Sequence, residues 1–167
     1  MGAGPQAMDD MRRALVSHRF PASNAAVRET LLQIDAALCA ADVDADLRTR
    51  AQIALAEACN NIVEHAYGPL DPSGAQMIRV DIAGDQDGLH ITLRDQGRAM
   101  PDGPLPGCRL PPLDPKNPHT LPEGGFGWAL LRKMTRALST TRHDGQNILQ
   151  FQLPHGDRSG RSGQNDT

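Results

Sequence analysis

Cysteine is scarce and poorly placed for any role that depends on it. Cys39, Cys59 and Cys108 are odd in number and lack metal-ligand spacing, which leaves no basis for a disulfide framework or a zinc site and suits a reducing compartment. Long apolar runs are missing as well: none approaches the roughly 18 to 20 residues that a membrane span needs, and residues 1–13 hold no apolar core of the kind a secretory signal carries. Gln6 stands where N-myristoylation wants Ser or Thr. A strong excess of either charge is also absent, since 17 Lys and Arg against 20 Asp and Glu leave a net charge of -3, and nothing electrostatic then points to nucleic acid. No internal repeat is visible. These absences predict a cytoplasmic chain without membrane or direct nucleic-acid contact.

What is present is enough for one domain. A chain of 167 residues can bury a sizeable single core, and 13 Pro with 16 Gly assign much of it to loops. Residues 1–12 are small and polar and are expected to form a disordered leader. Residues 155–167 lack an apolar anchor and are expected to be a disordered tail. The domain between them is predicted to span 13–154.

The most informative stretch is Leu55-Ala56-Glu57-Ala58-Cys59-Asn60-Asn61-Ile62-Val63-Glu64-His65-Ala66-Tyr67-Gly68. On a helix of about 100° per residue, Leu47, Ala51, Ala54, Leu55, Ala58, Ile62 and Ala66 share one apolar arc, with Glu57, Asn61 and His65 along its border. A helix needing only a solvated face would put polar side chains opposite that arc. Acid and carboxamide at i and i+4 on the border are therefore consistent with a lined cavity, and equally with a boundary helix whose polar groups are satisfied.

In chain order, a strand is predicted over 13–20. Ser23 or Asn24 then caps a helix running to about residue 41, with Val27, Leu31, Ile34 and Leu38 at helical spacing. Carboxylates at Asp42, Asp44 and Asp46 suit the positive end of the next helix, which Gly68-Pro69 stops after Tyr67. Ile78, Val80 and Ile82 alternate with polar residues as a half-buried strand does, and a hairpin turn over 84–88 leads to a partner strand whose Leu89, Ile91 and Leu93 put Asp95 on the core-facing side. Residues 100–123 hold eight of the 13 prolines and read as a long irregular lid. Gly124-Gly125-Phe126-Gly127 then opens a helix over 128–138 with Leu130, Leu131 and Met134 inward, and 139–153 is a closing hairpin about Asp144-Gly145. Hairpin-paired strands with helices on one face make an α+β two-layer sandwich, its sheet mixed but mostly antiparallel.

Three features could carry chemistry. A glycine-rich turn entering a helix exposes N–H groups at the positive end of a dipole and can cradle phosphate, though such a cluster also serves as a hinge. Asp95 followed by Gly97 offers an acceptor for an amino group beside a backbone that a flat ring can approach, or forms an ordinary Asx turn. Asn61 can give an oxygen to Mg²⁺, and Glu57 one turn earlier can orient or deprotonate a hydroxyl. His65 fits a core-edge histidine satisfying a neighbour better than a ligand.

The order of these parts resembles the N, G1 and G2 boxes of the Bergerat-fold (GHKL, histidine-kinase-like) ATPases. Within that superfamily the chain is most similar to the anti-sigma-factor serine kinases. The resemblance covers roughly 14–153 and rests on Phe20-Pro21-Ala22 with Val27-Arg28, Glu57-Ala58-Cys59-Asn60-Asn61 through His65-Ala66-Tyr67, Asp95-Gln96-Gly97, and Gly124-Gly125-Phe126-Gly127 with Leu130-Leu131-Arg132-Lys133-Met134. It implies ATP and Mg²⁺ as cofactors, Glu57 as catalytic base, Asn61 as the Mg²⁺ ligand, Asp95 and Gly97 as adenine contacts, and Gly124, Gly125, Phe126 and Gly127 as the phosphate-binding turn. It also implies a serine of a small STAS-type anti-sigma-factor antagonist as substrate, a sigma factor as a second partner, and a homodimer. Arg98-Ala99-Met100-Pro101 departs from the family, which often has a second glycine and an aromatic there, and no lid residue is carried over. Two other readings remain: a non-catalytic module that uses ATP as a structural ligand, and the ATP-binding domain of a histidine kinase, for which His18 is the only upstream phosphoacceptor candidate.

Overall fold

A computed structural model of the chain describes residues 12–67, 76–100 and 126–156, with the side chain of Phe126 outside that set. The expectations for the leader, the lid and most of the tail lie outside the described residues.

Alternating inward apolar residues build a five-stranded sheet from β1 (Arg13–Pro21), β2 (Met77–Asp85), β3 (Gly88–Asp95), β4 (Arg136–His143) and β5 (Gln146–Pro154). Its spatial order is β1-β2-β3-β5-β4, and every ladder among the described residues is antiparallel. One face carries Val16, Phe20, Ile78, Val80, Ile82, Leu89, Ile91, Leu93, Leu149, Phe151 and Leu153, all buried. The opposite face is polar. There Asp81 accepts from Ser17 Oγ at 2.7 Å and pairs with Arg79 and Arg94. Burial pushes its carboxyl up, but those hydrogen bonds and charges outweigh it and hold the group below the usual range.

Two long helices cover the apolar face, α1 (Asn24–Ala40) and α2 (Ala45–Asn61). Ser23 caps α1 by accepting from Ala26 N, and Asp44 caps α2 by accepting from Leu47 N at 2.9 Å, each satisfying a donor that the helix itself cannot. Leu38, Leu47 and Leu55 are fully buried between these helices and the sheet, and such burial stabilises the fold by about 1.5–3 kcal/mol per side chain. In α1 it is Thr30 rather than Leu31 that is buried with Val27, Ile34 and Leu38.

Two local expectations need correction. The α-helical pattern predicted to reach Tyr67 stops at Asn61, and Ile62–Tyr67 is a π-helical turn. Near the other end, α3 (Phe126–Met134) is shorter than the predicted 128–138: Thr135 N and Oγ1 both donate to the Leu131 carbonyl, at 3.0 and 2.6 Å, and β4 begins at Arg136, with Ala137 at a φ of 52°. Trp128 and Leu131 are its buried residues, whereas Leu130 is 37% exposed. The closing hairpin turns at Asp144 and Gly145, with φ of 50° and 77°, the primed geometry that suits strand twist.

Candidate functional site

Two groups of residues lie on either side of the π-helical turn, one of them where β3 runs out. The first is the segment Asp95-Gln96-Gly97-Arg98. Period-2 alternation does bring Asp95 to the core side, where it is 5% exposed. Its Oδ1 accepts from Gly97 N at 2.8 Å, as an Asx turn requires, and also from Asn147 Nδ2 at 2.8 Å. Burial raises the Asp95 carboxyl above its ordinary range, against the lowering effect of the Asn147 and Gly97 hydrogen bonds and the Arg142 charge. A group held in that balance at a strand end is a candidate for function rather than packing alone.

The π-helical turn docks onto this segment through its backbone. Arg98 N donates to Ala66 O at 2.8 Å. Tyr67 Oη donates to Met77 O and accepts from Gln96 N, each at 2.9 Å. A side chain at Gly97 would place Cβ 2.6 Å from both Cβ and O of Ala66, so the glycine is required by contact with α2's extension. Because the obstructing atoms are backbone or fixed to it, Gly97→Ala is expected to lower stability by about 1–3 kcal/mol, the cost of overpacking a close contact. A denaturant melt measures it; an unchanged midpoint would mean that the two segments do not touch.

The second group lies on α2 and at the start of α3. Gly127 sits against Glu57: a Cβ there would lie 2.3 Å from Glu57 Oε2 and 3.7 Å from Asn61 Nδ2. The sequence-predicted pair at i and i+4 therefore does come together with the last glycine of the Gly-rich turn, at the entry to α3. Asn61 Nδ2 is buried and has no hydrogen-bond partner among the described residues. A buried orphan amide calls for a missing partner. Turned one way it donates to an anion, and turned the other way it offers its oxygen to a cation. Gly124, Gly125 and the Phe126 side chain lie outside the described residues.

The donor set favours one kind of metal. Among the described residues no group of three His, Cys, Asp or Glu side chains could hold an ion. A cation here would rest on Asn61 together with oxygens of its own ligand and water, the habit of Mg²⁺ shared with phosphates. The glycine contact at Gly127 and the orphan amide of Asn61 thus fit a Mg²⁺-bound phosphate group.

Other candidates fall away. His65 is exposed on the π-helical turn and takes no part in either group. His18 lies within β1, paired with Val80. Cys59 is buried, and burial pushes its thiol up to about 12, so it packs and does not act as a nucleophile. Asn147 and Arg142 were not predicted. The Asp144-Gly145 turn alone would have set them opposite each other, but only the pairing of β3 with β5 brings Asn147 to Asp95.

Known proteins bear on this geometry. The chain matches the family profile described as the histidine kinase-like ATPase domain over residues 20–153. It is also 31% identical over 110 residues to the serine-protein kinase RsbW of Bacillus subtilis (strain 168), an alignment covering 64% of this chain and 65% of that protein. The chain thus spans slightly under two thirds of the relative's length. Among the described residues no helix is long and apolar enough to cross a membrane.

Proposed function

The chain belongs to the histidine kinase-like ATPase domain family, and from that premise we propose that it is an ATP-dependent protein-serine kinase acting on a small STAS-type anti-sigma-factor antagonist, and that it also sequesters a sigma factor. The observation that carries this reading is the contact of Glu57 and Asn61 with Gly127 at the start of α3. It sets a carboxylate, an amide without a partner among the described residues, and a helix entry around one point. The likeness to a serine-protein kinase supports the serine. The sigma factor and the antagonist rest on the likeness of the sequence motifs to anti-sigma-factor serine kinases.

In this reading Asp95 and the Gly97 turn bind adenine, and Gly127, with the glycines before it in sequence, receives the phosphates. Asn61 holds Mg²⁺, which when bound supplies charge neutralisation on the phosphate oxygens. Glu57 orients the serine hydroxyl of the protein substrate and accepts its proton as the oxygen attacks. The cytoplasm is its compartment, and the protein works as a homodimer.

The test is to incubate the protein with γ-labelled ATP and a STAS-type antagonist. Label on one antagonist serine, absent when that serine is changed to alanine, is the expected result. Tight ATP binding without any transfer would instead favour a regulatory module that holds ATP as a structural ligand.

A further inference from the structure

The Asp95 carboxylate is one end of a row of side chains laid across three strands. Asp95 on β3 is directly paired with Asn147 on β5, and Asn147 with Arg142 on β4. Asn147 Nδ2 donates to Asp95 Oδ1 at 2.8 Å and to Arg98 O at 2.9 Å. On its other side Asn147 Oδ1 accepts from Arg142 Nη1, which also donates to Gly97 O at 3.1 Å. A guanidinium only donates, while a carboxylate and a carbonyl only accept. The Asn147 amide therefore has one orientation that serves both sides. With Oδ1 taken twice from within the protein, by Gly97 N and Asn147 Nδ2, Oδ2 is the oxygen with which Asp95 can meet a ligand.

We infer that Asn147 and Arg142 are positioning residues that set the base selectivity of the site. They hold Asp95 as a fixed acceptor, so that a purine bearing a 6-amino group is bound and one bearing a 6-oxo group is rejected. The inference rests on the reading of Asp95 as the adenine contact and adds the residues that enforce its chemistry. The same three groups that hold the carboxylate, namely Asn147, Gly97 and Arg142, oppose the effect of its burial. Take the clamp away and nothing fixes which carboxylate oxygen faces the ligand or opposes the effect of its burial. The pocket then loses its power to tell the two bases apart.

ATP and inosine triphosphate make the test, because they share sugar and phosphates and differ at the 6-position. Calorimetric affinities for both would be measured on the wild-type protein, Asp95→Asn, Asn147→Ala and Arg142→Ala, each with a melting curve. The wild type should prefer ATP. Asn147→Ala should shrink the ATP-to-inosine-triphosphate affinity ratio on the order of 10-fold, the scale of one hydrogen bond to an ionised group. Arg142→Ala, a change at an exposed residue, should shrink it about 3-fold or more while melting normally. A role limited to structure would weaken both nucleotides alike and leave the ratio alone; that result, or no change at all in the Arg142 variant, overturns the inference. Failure of the wild type to bind ATP, or normal ATP binding by a folded Asp95→Asn, would instead overturn the adenine reading beneath it.

Discussion

Glu57→Gln should bind Mg-ATP as the wild type does yet transfer its phosphate at least about 10²-fold more slowly, the loss expected when a general base is removed. The amide keeps the volume and shape of the side chain against Gly127, where Glu57 Oε2 would lie 2.3 Å from an added Cβ, so the α2–α3 contact survives. What it lacks is the ability to take a proton from the attacking serine. Sigma-factor binding should persist, leaving a protein that holds one partner and cannot modify the other. Transfer rate, ATP affinity and a melting curve from a single preparation give the answer. Undiminished transfer in a normally melting mutant would remove Glu57 from the chemistry and favour ATP as a structural ligand.

Asp95→Asn should lose ATP affinity by about 10²-fold or more while remaining folded, an effect larger than the loss of one neutral hydrogen bond. The reason is donor and acceptor arithmetic. The inner position faces two N–H donors, Gly97 N and Asn147 Nδ2, so the single oxygen of the carboxamide must turn inward. Its NH₂ then faces outward, donor against the amino group of adenine. The inner bonds are kept, so the Asx turn and the β3–β5 edge should hold. The same substitution should improve binding of inosine triphosphate, whose 6-oxo group accepts from that NH₂. A folded mutant with unchanged ATP affinity would take Asp95 out of the pocket.

Local patterns made most of this arrangement legible in the sequence. Alternation through Leu89, Ile91 and Leu93 was enough to aim Asp95 at the core, and the polar border of α2 was enough to put Glu57 and Asn61 on one edge, where Gly127 now meets them. Features decided by partners distant in sequence were not legible. The apolar arc of α2 continues to Ala66 without a breaker, yet the turn over Ile62–Tyr67 is π-helical, with Ala66 O engaged by Arg98 N and Tyr67 Oη by Gln96 N. Likewise α3 ends at Met134 without Gly or Pro, and the chain enters β4 with Ala137 at a φ of 52°, a conformation that alanine does not signal. Gly97 was read as a place for a flat ring to approach, whereas its Cβ position is filled by Ala66. Asn147 and Arg142 carried no signal of a link to Asp95, because that link depends on pairing β5 with a strand more than fifty residues earlier.

In the proposed function the end of β3 and the contact of α2 with α3 form one nucleotide site, with Asn61 acting through a metal ion. A calorimetric titration of ATP into wild type, Asn61→Ala and Asp95→Asn, each with and without Mg²⁺, tests it most directly. Saturable binding to the wild type that strengthens with Mg²⁺, loss of that Mg²⁺ gain in Asn61→Ala with the metal-free affinity largely kept, and loss of binding under both conditions in Asp95→Asn are the expected results. Wild-type protein that binds no ATP, or an Asn61→Ala variant that keeps the full Mg²⁺ gain while melting normally, would contradict it.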